Sequence, residues 1–334
     1  MENKCSLIIP TYNRASLLQL TLKSLSNLNE INLIREVIIC DSYSSDNTPE
    51  VINIASIELP QINFLHLHTK NNISQKRNLG IKRASSEFLL FFDDDCELHK
   101  ECVEKHINFL NSHKNNIVSG RVVFPKHQLQ TSNYIRYRDS RHRYADFLSE
   151  SENQLDYKQI VTMNMSARKS ELLDNELFFD ETFLSYGMED NDFGYRAQEK
   201  GFSLGFAKGT ITHHDRHTFL TFKKKIFSSA RDGTYNFLQK SPQAVWEFYY
   251  SIYLEQNYPH KSKLSQFKSK LFRFLLFRSL ATLLTRFVLL TDKYKFLYFE
   301  IFYRYILATE YLKGTHQREK RFISQEEIDG GFFD

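Results

Sequence analysis

The sequence has little that would mark a secreted, membrane-spanning or nucleic-acid-binding protein. It has no Cys-x-x-Cys pair. Its four cysteines, Cys5, Cys40, Cys96 and Cys102, are scattered, and Cys5 and Cys40 begin or end apolar runs. That usage fits thiols left free in a reducing cytosol. The opening residues, MENKCSLIIP, lack a basic stretch followed by a long apolar one, so no secretory signal is expected. No uncharged apolar run reaches the ~18 residues that a transmembrane helix needs. Neither charge is in large excess. The 44 basic and 40 acidic residues leave a formal net of +4, which does not by itself argue for nucleic acid. Neither G-x-G-x-x-G nor G-x-x-x-x-G-K-[ST] occurs, which disfavours a Rossmann dinucleotide site and a P-loop.

What is present is organised around Glu87 to Glu97, reading EFLLFFDDDCE. The apolar run Phe88–Phe92 is short and aromatic-rich, as suits a strand buried on both faces. It runs straight into Asp93, Asp94 and Asp95. Three adjacent carboxylates repel one another and are tolerable in water or around a cation. An isolated acidic triplet therefore reads either as a solvated turn or as a divalent-metal site.

The flanking sequence favours an open α/β sheet. Cys5–Pro10, Glu36–Cys40, Ile62–Leu67 and Phe88–Phe92 read as strands. Between them lie a helix capped at Ser16, a helix entered through Pro49 and a helix capped at Ser74. The alternation implies right-handed crossovers and a doubly wound, mostly parallel sheet. At 334 residues the chain can bury a full core as one large or two modest domains. Ligands of such sheets bind beyond the carboxyl ends of the strands. Arg14, Asp41, Asp46, Lys76 and the aspartate triplet all fall there and should converge on one rim. A base or ribose wants a carboxylate, a diphosphate wants cations, and a metal wants hard oxygens.

Further along, His99–Asn111 has helical spacing, and Ile117–Phe124 and Thr162–Arg168 read as strands. Glu189, Asp190 and Asp192 open a helix ending near Gly201, where the helix dipole alone would favour acids. Ser203–Ala207 and Thr210–Thr212 read as two last short strands, delivering His213, His214 and His217. Alternation favours His213, in register with Ile211, with His214 as the fallback.

Five segments in order resemble family 2 glycosyltransferases of the GT-A fold. They are Pro10-Thr11-Tyr12-Asn13-Arg14, Asp41 to Thr48, Lys76-Arg77-Asn78-Leu79-Gly80, Asp93-Asp94-Asp95, and Phe179-Asp180-Glu181 with the Gly187 to Arg196 stretch. Lys76 stands where alanine is more usual. The resemblance covers about two-thirds of the chain. It implies an inverting, metal-dependent transferase in which Pro10, Tyr12, Arg14, Asp41, Lys76, Asp93 and Asp94 surround the nucleotide. Asp41 would meet the base and Asp93 the ribose side, while Asp94 is read either as a nucleotide contact or as a residue that holds the turn. Asp95 and His213 would hold Mn²⁺ or Mg²⁺. Asp190 would take the acceptor's proton, with Glu189 binding the acceptor or orienting the base. A sugar-phosphate nucleotidyltransferase would need a Gly-rich N-terminal loop that is absent. A retaining transferase and a non-catalytic nucleotide-sugar-binding protein remain as alternatives.

Two stretches lie outside those motifs. From Pro125 to Lys158 the chain is polar and basic, with Arg136, Arg138, Arg141, His142 and Arg143 among tyrosines. Such a segment binds nucleic acid or a phosphorylated head group, or is a solvated flap. The tail from Phe219 has a helical pattern. Lys261 to Arg321 is strongly basic, and Leu271 to Leu290 is apolar but broken by Arg273, Arg278 and Arg286. Basic, apolar helices lie on anionic membranes, or pack as a subdomain or dimer contact. The expected organisation is a GT-A-like domain over 1–220, a helical extension over 221–325 and a frayed tail over 326–334. The expected partners are a UDP-sugar, a glycan or lipid-linked acceptor of surface polysaccharide synthesis, and an anionic membrane or a second copy, without nucleic acid. The expected location is cytoplasmic or peripheral on the inner face of the cell membrane.

Overall fold

The computed structural model describes residues 3–148, 155–248, 251, 267, 270, 271 and 274–317. The expected frayed tail, 326–334, lies outside the described residues, as does most of the basic stretch between 252 and 273.

The first half alternates as the pattern requires. β1 (Cys5–Thr11), α1 (Ala15–Ser24), β2 (Ile34–Asp41), α2 (Thr48–Glu58), β3 (Asn63–His68), α3 (Ile73–Arg83) and β4 (Phe88–Phe92) follow one another. β5 (Cys96–Leu98), α4 (Cys102–Ser112), β6 (Asn116–Val123), α5 (Lys126–Thr131) and α6 (Asn133–Ser140) come next. β7 (Asn164–Arg168), α7 (Lys169–Asp174), α8 (Glu189–Glu199) and β8 (Ser203–His213) complete the sheet. α9 (Phe219–Ser228), α10 (Thr234–Lys240), α11 (Pro242–Glu247) and the helices Arg278–Leu290 and Glu300–His316 follow.

The eight strands form one sheet in the order β3-β2-β1-β4-β7-β6-β8-β5. β3, β2, β1 and β4 run parallel. β7 is antiparallel to β4 and to β6, while β6 and β8 are parallel. Leu7 and Ile9 of β1 face a core shared with α1, α2 and α4, and Ile8 faces one shared with α3, α7 and α8. All five side chains of β4 are buried. At about 1.5–3 kcal/mol for each large apolar side chain, β4 is anchored firmly enough to hold crowded acids at its end.

Three expectations are corrected. The two last short strands are one, β8, with a shift of register against β6 between Ser119 and Arg121. The Asn164 side chain donates there to the carbonyls of Arg121 and Gly209. A Cβ on Gly120 would lie 2.3 Å from Asn164 Nδ2, so only glycine fits. α3 is capped by Asn72, whose side chain accepts from Gln75 N, and not by Ser74. The basic segment is not a solvated flap in its described part. It contains α5 and α6, and Arg136 and Arg138 are buried. α6 packs with α9 and the last helices through Tyr134, Tyr137, Phe219, Phe222 and Tyr303.

Candidate active site

The loops after β1, β2 and β4 are stitched together by their own polar groups. Asp46 accepts from Ala15 N at 2.8 Å and so caps α1 from another loop. It also accepts from Thr48 Oγ1 at 2.6 Å at the start of α2. Asn13, at φ 50°, accepts from Ser45 N and donates its own N–H to Ser44 Oγ. Asp46 is therefore committed to holding the rim.

The aspartate triplet divides three ways. Asp94 is fully buried and accepts from Thr11 Oγ1 and Arg14 Nη1, each at 2.7 Å. Burial pushes its carboxyl up to about 7 despite Arg14. Asp95 accepts from Arg14 Nη2 at 2.6 Å and lies 3.4 Å from His213 Nε2. Burial would raise it, but His213 and Arg14 outweigh burial and hold it well below the usual carboxylate range. Asp93 is turned to the open side, 3.3 Å from Arg77 Nη2.

β5 brings the metal-ligand candidates together. This three-residue strand pairs antiparallel with β8, setting Cys96 opposite His213. His214 points elsewhere, to Glu97 Oε2 at 2.8 Å. Two ligands at about 2.1 Å on one octahedral ion lie about 3 Å apart, so an Asp95 oxygen and His213 Nε2 fit one divalent cation. Asp41, His66 and His68 also present ligand atoms within 4.8 Å of one another. Asp41 is buried and accepts from Ser44 Oγ at 2.5 Å, with His66 Nε2 at 3.1 Å. Burial would raise Asp41, but His66 and Ser44 lower it further.

Arg77 joins the triplet to the helix acids. It is buried, 3.2 Å from Asp190 Oδ1 and 3.7 Å from Glu189 Oε1, besides Asp93. Asp190 also accepts from Thr162 Oγ1 at 2.6 Å and Thr162 N at 3.2 Å. Burial and the Asp190 charge push Glu189 up to about 7. Its Oε2 is buried with no hydrogen-bond partner among the described residues.

A cleft of about 100 Å³ is lined by Arg14, Asp93, Asp95, Glu189 and His213, and also by Arg77. Its lining further includes Arg138, Tyr186, Asp215, His217, Phe222 and Lys225. Lys76 and Asp94 do not line the cleft. Lys76 is wholly buried, donating to Thr11 O at 2.8 Å and Asn71 Oδ1 at 3.1 Å, and burial lowers it to about 7. Both are buried behind the rim and bond to the protein's own groups at the ends of β1 and β4. Pro10 is likewise buried within β1, and Tyr12 lies under the Lys76 ammonium. Sequence reasoning passed over Arg77 as a site residue although it sits inside the quoted motif. It passed over Lys225 because no motif carries it.

The Glycosyl transferase family 2 profile matches residues 6–171, which includes β1 to β7 and the triplet. The chain belongs to glycosyl transferase family 2. Family 2 relatives include chondroitin synthase of Escherichia coli, 27% identical over 250 residues. The match takes in 63% of this chain but only 34% of that protein. Glycosyltransferase AglE of Haloferax volcanii is 27% identical over 224 residues, covering 66% of this chain and 70% of that one. In fold, the chain is similar to the mannosyltransferase PcManGT of Pyrobaculum calidifontis, solved with GDP-Man and Mn²⁺. The TM-score is 0.58 at 15% identity, covering 94% of this chain and 86% of that one. The mixed sheet, parallel through β4 and reversed at β7, is thus the GT-A-like α/β fold of the family.

Proposed function

We propose that this chain moves a sugar from a nucleotide diphosphate, a UDP-sugar, to a hydroxyl of a glycan or lipid-linked acceptor, with inversion. The observation that carries this is Arg77, which pairs with Asp93, Glu189 and Asp190 and lines the cleft together with Asp93, Glu189, Asp95 and His213. Donor-side and acceptor-side groups therefore share one cleft. Asp190, oriented by Thr162 and Arg77, takes the acceptor's proton as its oxygen attacks the anomeric carbon. Glu189 keeps its proton near neutrality and offers its unpartnered oxygen to an acceptor hydroxyl. Asp93 and Asp41 meet the ribose and base. Asp95 and His213 would hold Mn²⁺ or Mg²⁺, which when bound supplies Lewis-acid stabilisation of charge on the leaving diphosphate.

Asp190→Asn tests the base. It should bind UDP with Mn²⁺ as the wild type does and lose about 10²–10⁴-fold in transfer rate. A folded variant transferring at the wild-type rate would remove Asp190 from that role. A retained anomeric configuration in the product, read by NMR, would favour the retaining alternative. Absence of any metal-dependent UDP-sugar turnover would favour a binding protein.

We divide the chain into a transferase domain over 1–220 and a helical extension from 221. Among the described residues no helix is long and apolar enough to cross a membrane. The helix Arg278–Leu290 and the turn after it expose Leu283, Leu290 and Phe296 at 64%, 76% and 79%. Arg278, Arg286, Lys293 and Lys295 are exposed beside them. That mixture suits the head-group layer of an anionic membrane. A two-fold dimer would press the same positive face against itself. The reading places the protein on the inner face of the cell membrane. Salt-sensitive flotation with phosphatidylglycerol vesicles supports it. No flotation, with a dimer by light scattering, would replace the membrane with a second subunit.

A further inference from the structure

The cleft also carries a cation that forms no ion pair with a carboxylate among the described residues. Arg14 is paired with Asp94 and Asp95, Arg77 with Asp93, Glu189 and Asp190, and Arg138 with Asp215. Lys225, on the last turn of α9, lines the same cleft. Its Nζ is 2.6 Å from His217 Nε2 and 5.0 Å from the centroid of the Tyr186 ring. Among the described residues it forms no ion pair with an acid. Asp215 and Asp95 stand close enough to act on its charge, but Asp215 is engaged by Arg138 and by the His217 N–H at 2.8 Å, and Asp95 by Arg14 and His213.

The local chemistry keeps this charge in place. Burial and the ammonium hold His217 down at about 4, so its imidazole is neutral and Nε2 accepts from Lys225. Burial lowers Lys225 only to about 8, and it remains protonated at pH 7. A half-buried ammonium with no ion-pair partner among the described residues is unfavourable, and a bound anion would relieve that. The wall is also shared. A second cavity of about 500 Å³, lined by residues of α6 and of the helix Arg278–Leu290, also has Asp215 and His217 in its lining.

We infer that Lys225, held by His217, is an anchor for phosphoryl oxygens in this cleft, either the diphosphate of the donor or a phosphate carried by the acceptor. The inference rests on the nucleotide-sugar reading above and names a substrate-binding group in the same cleft as Asp93 and Asp95, contributed by α9. A diphosphate between Asp95–His213 and Lys225 would be gripped from two walls. A phosphate on the acceptor would enter through the second cavity.

Calorimetric titrations with Mg²⁺ separate the two sources. Wild type, Lys225→Met and Lys225→Arg are titrated with UDP, with uridine, and with inorganic phosphate added to UDP-saturated protein. If the donor diphosphate is held, Lys225→Met binds UDP about tenfold more weakly while uridine binding is unchanged. If an acceptor phosphate is held, UDP binding is unchanged and phosphate binding to the loaded protein is lost. Lys225→Arg restores the affected titration in either case. Unchanged UDP and phosphate binding in a folded Lys225→Met protein overturns the inference and leaves the transferase reading standing. A wild type that binds no UDP overturns both. Lys225→Gln carries the same test if the methionine protein does not fold.

Discussion

Arg77 and Lys225 line one cleft and differ in almost everything else. Arg77 is buried among three carboxylates contributed by α8 and the β4 end. Lys225 meets an imidazole and a phenol ring. A buried cation with fixed acid partners organises the acids, and removing it strands them. A cation without them is poised to meet charge from outside. The same cleft thus has one wall built by internal pairing and another left open to a ligand.

The largest effect should come from breaking the paired side. Arg77→Met leaves Asp93, Glu189 and Asp190 facing one another without their shared cation. The expected loss is about 3–5 kcal/mol in urea unfolding, with transfer abolished. A loss under about 1 kcal/mol would mean that the acids relax into water and that Arg77 does not set their geometry.

His106 is a third buried base, and its partners are neutral. It lies between Ser166 Oγ at 2.8 Å and Asn164 Oδ1 at 2.9 Å, wholly inside the sheet–α4 layer. Burial lowers it to about 4. The unfolded chain takes up a proton through pH 6.5, and the folded chain does so only near 4. Stability present above pH 6.5 should therefore fall as the pH drops to about 4, by up to about 3 kcal/mol. In His106→Gln that part of the pH dependence should vanish from urea midpoints. An unchanged slope would mean that the folded protein accommodates the imidazolium.

The paired wall was readable in the sequence because its residues sit in short, ordered stretches at strand ends. Arg14, Asp93, Asp95, Glu189 and His213 were found and do line one cleft. Position on a helix after a strand does not fix which side chain faces the rim: Lys76 is buried behind it while its neighbour Arg77 lines the cleft, since one residue of helix turns the side chain by about 100°. β5 has only three residues, too few for alternation to show, yet it sets Cys96 opposite His213 and so brings that histidine to Asp95. Ser74 and Asn72 are both good caps by composition, and only the backbone entering α3 decides between them. The open wall was hidden for another reason. Arg138, His217 and Lys225 come from α6, the loop after β8 and α9, and only tertiary packing brings them together.

Carboxylates repeat the contrast between structural and available groups. Asp46, expected on the rim, stands there and caps two helices with its own oxygens. Asp46→Ala should cost about 1–2 kcal/mol, read as a shift in urea midpoint, with transfer reduced only through the loosened loop. If the midpoint holds while UDP binding collapses, Asp46 touches the nucleotide after all.

The smallest effect on stability should come from Lys225→Met, and its sign matters more than its size. Removing an ammonium with no acid partner strands no carboxylate. It also relieves a desolvation cost that the empty protein carries. The unfolding free energy should stay level or rise by about 1 kcal/mol, against the large loss at Arg77. A clear destabilisation would show that His217 and Tyr186 already satisfy Lys225. The two walls would then be alike, and the open one would no longer call for an anion.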